Sequence, residues 1–432
     1  MKSFLKNLFY NTLKFFLSFG FAYTFRHIIT SGYSKVKKNK PSLFVANHQN
    51  TFLDGFMMVY TAGNSNPHIL VRADIFKAKL AQKALHLIKL MPIYRKRDGH
   101  NNMSQNEQIF NQCIRIFEDK DVVALFPEGN HAFPRKLRSL QKGAARIAFQ
   151  AEEENQFKLN LSLVPLGLQY ENQTDTWHDV HVHYDDALLV RSLEKDFHDD
   201  PHATYINLTN KIETRISSQM IDIKPEEDLL FYEQIRILMK EINQNKADHT
   251  KYLVHHENEM IQQLTSQFTE KTEAKKKIVD ELNDFISSLK DKGIDTDYPI
   301  SKRSVFKKAL KFIGLLILLP FFLLFKIFTA IPQFIIEQKV IRKIKDNTWH
   351  LSIRFALAAF LYPIFYGLVW LILALFIDNL LAAMIICSIP LINIIGLEWT
   401  YYLREFKNDI RFSQDLANRR QSLINKVQSY LG

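Results

Sequence analysis

Between residues 35 and 222 the chain alternates short apolar runs with longer stretches whose apolar positions recur every three or four residues. Short apolar runs bounded by turn formers read as strands, and the 3.6-residue period reads as helices packed against them. The expected strands are 42–46, 68–72, 91–94, 121–126, 161–168 and 180–184; the expected helices are 52–63, 75–89, 103–118, 138–151 and 203–219. Strands alternating with helices predict an α/β domain with a parallel or mixed sheet flanked by helices. Functional side chains in such sheets gather on the connections that follow strands. Two of these connections are conspicuously polar: Asn47 to Asp54, and the turn at Glu128.

The pattern changes on both sides of this domain. Residues 3–25 are rich in Phe and Leu but carry Lys6 and Lys14 and lack a small-residue cleavage site. Within a segment 1–34 this predicts a helix that lies in a membrane interface or caps the core, not a secretory leader. Residues 223–300 form a charged helical arm. Leu229, Ile235, Leu238 and Ile242 make one stripe, Ile278, Leu282, Phe285 and Leu289 another, and the polar break from Asn243 to His249 separates at least two helices. Residues 301–400 read as a C-terminal hydrophobic membrane region. Residues 355–377 have the length of a transmembrane helix, with a kink expected at Pro363, and 380–397 form another apolar run after only Asp378-Asn379, so the two make a tight helical hairpin. The preceding run, 309–336, contains Pro320, Lys326 and Pro332. It has basic residues at both ends: Lys302, Arg303, Lys307, Lys308 and Lys311 before it, Lys339, Arg342, Lys343 and Lys345 after it. Equally basic ends conflict with the positive-inside bias, so a bent or re-entrant segment is expected there. The hairpin then returns residues 401–432, a C-terminal helix, to the side that holds the 35–222 domain, which the charge pattern makes the cytoplasmic face.

Composition narrows the partners. At 432 residues the chain is long enough for two or three structural units. Lys and Arg outnumber Asp and Glu 56 to 45, a net +11 that suits an anionic membrane surface or polyanionic substrates such as coenzyme A thioesters. Nucleic acid is set aside, because the basic residues sit beside apolar segments and no zinc-finger, RNA-recognition or basic-zipper signature is present. Two cysteines, Cys113 and Cys387, exclude a disulfide framework and read as packing residues.

The two polar connections supply the chemistry. A histidine with a nearby carboxylate can take the proton of an alcohol, which is otherwise a poor nucleophile, and histidine titrates near working pH. His48 and Asp54 are such a pair. The Pro127-Glu128-Gly129 turn, with basic residues nearby, can hold an anion next to that alcohol. Together they point to transfer of a group onto a phosphate-bearing hydroxyl compound.

Four ordered blocks carry a family resemblance: Asn47-His48 to Asp54, Met91-Pro92-Ile93-Tyr94-Arg95, Phe126-Pro127-Glu128-Gly129, and Leu163-Val164-Pro165-Leu166-Gly167. Over about 40–220 the chain resembles the phospholipid/glycerol acyltransferase family, which includes glycerol-3-phosphate and lysophosphatidic acid acyltransferases. The resemblance implies a glycerolipid acyltransferase-like fold, with His48 as general base and Asp54 as its orienting partner. It assigns the glycerol phosphate to Arg95, Glu128 and Gly129, with Arg97 and Asn130 as further contacts. It also implies a membrane enzyme of phospholipid synthesis that moves a fatty acyl group from acyl-CoA or acyl carrier protein to lysophosphatidate or glycerol 3-phosphate, with no metal or organic cofactor. Another lyso-lipid as acceptor, such as a lyso-ornithine lipid or lysophospholipid, and an inactive lipid-binding scaffold are the alternatives. The chain departs from the family pattern in three places. Five residues separate His48 from Asp54 where the family has four, Lys89 replaces the glycine that opens the second block, and Asn130-His131 replaces the threonine or serine after Gly129. His131 is a candidate second base, and Lys142-Gly143 a candidate source of positive potential.

Other groupings are weaker. His181-Val182-His183 places two imidazoles on one strand face without a third ligand. His255-His256-Glu257 lacks the spacing of a zinc protease. No Gly-x-Ser-x-Gly elbow, Walker loop or dinucleotide fingerprint is present, which argues against a serine hydrolase, a P-loop NTPase and a dehydrogenase.

Overall fold

Strand-forming runs that are apolar at every position need cover on both faces, and the computed structural model shows how the chain provides it. The structure describes residues 2–36, 39–63, 65–76, 79–94, 105–224, 228–246, 253–268, 272–300 and 303–431. A helix, α1 (Lys2–Thr24), leads into strand β1 (Phe25–Ser31). Then follow β2 (Ser42–Ala46), α2 (Leu53–Thr61), β3 (His68–Arg72), α3 (Lys79–Leu87), β4 (Leu90–Ile93), α4 (Gln105–Glu118) and β5 (Val122–Leu125). The unit continues with α5 (Gly143–Glu154), β6 (Ser162–Tyr170), β7 (His178–Tyr184), β8 (Leu188–Leu189), α6 (Glu194–Asp199) and α7 (Pro201–Gln219). The six expected strands coincide with β2 to β7 to within about two residues. β1 was not expected, because Phe25–Ser31 continues the Phe-rich run that reads as helix.

The chain divides into two compact units, the first formed by residues 1–15, 28–173 and 179–222. Its sheet has the order β1-β7-β6-β2-β5-β3-β4, with β8 beside β6. β6, β2, β5, β3 and β4 run parallel, whereas β7 and β8 pair with β6 antiparallel, so the sheet is mixed. β2 and β6 are buried at every position, in keeping with their apolar sequences and central place. The main core packs Leu43, Val45, Val123 and Leu163 of the sheet against Phe117 of α4, Phe149 of α5 and Leu208 and Ile212 of α7. β2 and β5 are neighbours in parallel register, Val45 opposite Leu125. The two polar connections therefore leave the same end of adjacent strands.

At the opposite strand ends, Asp121 receives Lys89 Nζ at 2.9 Å, His68 Nε2 at 3.4 Å and the Val122 amide at 2.9 Å. Burial works to raise the Asp121 pKa, but the His68 and Lys89 hydrogen bonds and the Lys89 charge overcome it and hold the carboxyl at about 2. A carboxyl depressed in the folded state stabilises fully above its unfolded value of about 3.9 and stops doing so as pH falls through its folded value. Asp121→Asn is therefore expected to lose stability at pH 5, with the deficit relative to wild type shrinking as pH falls from about 4 to 2. Urea midpoints across that range test this.

The second unit is formed by residues 16–27, 174–178 and 223–432. Its helices are α8 (Leu229–Lys246), α9 (Leu253–Phe268), α10 (Thr272–Asp291), α11 (Val305–Phe334), α12 (His350–Leu373), α13 (Asn379–Arg411) and α14 (Gln414–Gln428). Among the described residues the charged arm forms three helices, α8, α9 and α10. Ile235, Leu238, Ile278, Leu282, Phe285 and Leu289 are buried, and Arg420 of α14 donates to the Leu238 carbonyl oxygen at 2.9 Å. Residues 309–334 of that run lie in α11, one continuous helix that contains both Pro320 and Pro332, and Ile335 and Ile336 open the π-helical segment that follows. The 355–397 region forms α12 and the first part of α13. Among the described residues three helical stretches, 305–343, 347–373 and 379–411, are long and apolar enough to cross a membrane by length and composition. α11 and α13 pair closely because Gly396 faces Phe325, where a Cβ would sit 2.2 Å from the ring; the Trp399 indole donates to the Leu315 carbonyl oxygen at 2.8 Å.

Candidate active site

Where β2 ends, the Asn47 side chain prolongs its pairing with β6. Its amide nitrogen donates to the Leu168 carbonyl oxygen at 2.9 Å, and its oxygen accepts from the Leu168 amide at 2.7 Å. Asn47 is fully buried, so the turn that follows starts from a fixed point. Thr51 then adopts a left-handed conformation at φ 32°. The bend leads into the first turn of α2, which carries Asp54 and where its amide donates to the Asn50 carbonyl oxygen at 3.3 Å.

The result is a closed carboxylate site. Asp54 is completely buried. One oxygen meets His48 Nδ1 at 2.8 Å and accepts from the Asn50 amide at 2.8 Å; the other accepts from the Tyr170 hydroxyl at 2.6 Å. With the carboxylate accepting, the hydrogen of the neutral imidazole sits on Nδ1 and Nε2 is left as its basic nitrogen. Burial, reinforced by the adjacent Asp54, pushes the Tyr170 hydroxyl well above its ordinary pKa, so it stays a donor.

The second connection clamps the first. The His48 backbone amide donates to Glu128 Oε1 at 2.6 Å, and Glu128 Oε2 accepts from Arg138 Nε at 2.8 Å and from the Arg138 amide at 3.3 Å. Burial raises the Glu128 pKa, while the Arg138 charge and these hydrogen bonds pull it back. Gly129 turns at φ 70°, a conformation that suits glycine, and closes on the Phe126 carbonyl oxygen at 3.2 Å. Phe126 stacks on the His48 ring at 4.3 Å between centroids, and His131 approaches that ring edge-on at 5.7 Å. Arg135 is buried and donates to the Tyr170 and Glu171 carbonyl oxygens at 2.7 and 2.8 Å, holding the end of β6 behind Asp54.

Of the residues singled out in the sequence, His48, Asp54 and Glu128 come together around one hydrogen-bonded network, with Gly129 and Asn130 in the adjoining turn. Arg95 and Arg97 lie outside the described residues. Lys142 is within 3.3 Å of His202 Nε2, and His183 Nδ1 lies 2.7 Å from the Ser31 hydroxyl. Among the described residues no group of three or more His, Cys, Asp or Glu side chains is placed to hold a metal. Tyr170 has no sequence signal, being 116 residues from the carboxylate it meets. Arg138 reads in the sequence only as added positive charge, and nothing there pairs it with Glu128.

Gln49, next to His48, is 2% exposed, and neither polar atom of its side chain has a hydrogen-bond partner. An unmet buried amide costs about 1–3 kcal/mol, and an apolar residue of similar shape removes that cost. Gln49→Met is expected to raise the unfolding free energy by about 1 kcal/mol, measurable as a higher urea midpoint. An unchanged or lower midpoint would mean that the amide is satisfied in solution.

Residues 27–169, which include the dyad and the Glu128 turn, match the family model Acyltransferase. Among solved structures, the chain is similar to the 1-acyl-sn-glycerophosphate (LPA) acyltransferase PlsC from Thermotoga maritima, at 15% identity and a TM-score of 0.34 over 47% of this chain and 76% of that one. Comparison with curated protein sequences finds no match.

Proposed function

We propose that this protein is a membrane-bound O-acyltransferase of phospholipid synthesis. It would move a fatty acyl group from the thioester of acyl-CoA or acyl carrier protein to a hydroxyl of lysophosphatidate or glycerol 3-phosphate. The observation that carries this reading is the contact of His48 Nδ1 with a fully buried Asp54 carboxylate at 2.8 Å. That arrangement leaves a basic Nε2, and a base at the acceptor hydroxyl is what thioester alcoholysis needs. In the mechanism, Nε2 takes the hydroxyl proton as the oxygen attacks the thioester carbon. The imidazolium so formed is stabilised by Asp54 and returns the proton to the departing thiolate. The Acyltransferase match over 27–169 supports the same class.

Glu128 works in this reading as a positioning residue. Its carboxylate is 3% exposed and already accepts from His48 and Arg138, and a carboxylate repels a phosphate. The three apolar helical stretches suit an enzyme whose substrates dissolve in a bilayer, and the acyl-transfer domain would face the cytoplasm.

Membranes containing the full chain, incubated with acyl-CoA or acyl carrier protein and a panel of glycerol 3-phosphate, lysophosphatidate, lyso-ornithine lipid and lysophospholipids, test the proposal. Labelled product from one of the first two acceptors is expected. Product only from another lyso-lipid changes the acceptor, and no product from any pair, with the protein folded, overturns acyl transfer.

A further inference from the structure

We propose that α11, α12 and α13 do not cross a membrane but lie together in one leaflet of an anionic phospholipid bilayer, their exposed apolar faces among the acyl chains. The inference is independent of the reaction that the protein catalyses. Its first support is direction. Lys311 reaches Glu405 at 2.8 Å, Phe322 stacks on Trp399 at 3.8 Å between ring centroids, and Gly396 faces Phe325, so α11 and α13 run antiparallel. Three successive crossings would make the first and third helices parallel. Crossing by α11 and α13 alone would put the whole of α12 on the far side.

Residues 174–178, which belong to the same unit as these helices, argue against that second arrangement. The Thr174 carbonyl oxygen accepts from Arg354 near the start of α12, and Arg354 also pairs with Glu337, just beyond α11, at 2.8 Å. Four residues on, the His178 ring lies 5.5 Å from that of Tyr298, whose hydroxyl accepts from Arg404 at 2.9 Å. Arg404 adjoins Glu405, which holds Arg303 and Lys311 at the opposite end of α11. One five-residue segment, about 17 Å long when extended, is thus tied to both ends of a helix that in a crossing would be separated by about 30 Å of hydrocarbon. A crossing would carry its open backbone, and an Asp175 side chain that is 52% exposed, to the depth of the acyl chains.

α11 itself is built to lie flat. Phe306, Leu310, Ile313, Ile317, Leu324 and Ile331 are each at least 41% exposed and share one side of the helix, whereas Lys307, Lys308, Lys311 and Lys326 project from the other. Lys326 is near the middle of the apolar stretch, where a crossing helix would take its charge to the bilayer midplane. Lying flat, the helix keeps Lys326 near the surface. The cations at its two ends, Arg303 and Lys307 at one, Lys339, Arg342 and Lys343 at the other, then all meet anionic headgroups.

Depth and sidedness test this, and neither readout uses activity. Full-length protein carrying Cys387→Ala retains only the buried Cys113 and receives single cysteines at exposed positions. In vesicles of phosphatidylethanolamine and phosphatidylglycerol, spin labels are placed through Phe306→Cys, Ile317→Cys, Leu324→Cys and Ile331→Cys. Collisions with oxygen, which collects among acyl chains, and with a water-soluble nickel chelate are expected to report one shared depth beneath the headgroups at all four. A profile deepest at 317 and 324 and shallow at 306 and 331 is that of a crossing helix and overturns the proposal. Chelate access at all four, or shielding from both reagents, would mean that lipid does not cover this face and overturns it too. Separately, Asp291→Cys, Gln338→Cys and Asn379→Cys, all at exposed positions, meet a membrane-impermeant maleimide in sealed membrane vesicles from the expressing cells. All three are expected to react from the same face. Reaction of Gln338→Cys or Asn379→Cys only from the face opposite Asp291→Cys overturns the proposal.

Discussion

Replacing His48 with alanine is expected to lower acyl transfer by roughly 10²–10⁴-fold, the usual contribution of a general base, while the protein stays folded. The imidazole is 16% exposed, and its removal leaves Asp54 still hydrogen-bonded to the Asn50 amide and the Tyr170 hydroxyl. The Glu128 clamp also survives, because it grips the backbone amide of residue 48 and not the ring. The loss should therefore appear in kcat, with acceptor affinity nearly intact. Initial rates with a radiolabelled donor, paired with a urea midpoint, separate the two effects. His131→Ala should cost far less, since Asp54 and not His131 contacts Nδ1 of the His48 ring. A His48→Ala protein retaining a tenth of wild-type turnover would rule out a base at this position.

Asp54→Asn should come close to the same loss by a different route. Three donors converge on this carboxylate: His48 Nδ1, the Asn50 amide and the Tyr170 hydroxyl. An asparagine has only one acceptor oxygen, so its NH2 group must confront at least one of them. The least costly orientation turns NH2 toward Tyr170, whose hydroxyl can accept. Imidazole orientation then survives, but the negative charge that stabilises the imidazolium is gone. Where NH2 faces His48 instead, the ring must adopt the tautomer with Nε2 protonated, which is no longer a base. Either way kcat is expected to fall by on the order of 10²-fold or more, with a stability cost of about 1–3 kcal/mol for the disturbed buried network. Turnover within tenfold of wild type, at an unchanged urea midpoint, would show that the carboxylate is not the partner of the base.

Much of the α/β unit is readable in the sequence because its strands are short apolar runs cut by turn formers, and β2 to β5 are each followed by a helix with a clear period. The strand at 42–46 and the polar run after it are the plainest case. Local patterns do not reveal pairings between distant segments. Tyr170 completes the Asp54 site only because β6 lies next to β2, an adjacency that no spacing in the chain encodes. The Glu128–Arg138 pair depends on how the loop after β5 folds back on itself. β1 is hidden in the sequence because Arg26 and His27 interrupt its apolar residues and it follows α1 with no turn former between them. α11 runs through two prolines as an unbroken helix, a conformation that a proline-based reading disfavours. The spacing between His48 and Asp54 is visible in the sequence, but the left-handed conformation of Thr51 between them is not.

Glu128 ties the loop after β2 to the loop after β5, and those strands enter the sheet some eighty residues apart. The consequence is an interlock. A displacement of the 126–132 segment would release the backbone amide of residue 48 while the Asp54 contact still holds the ring, so the two loops can come apart with the sheet beneath them intact.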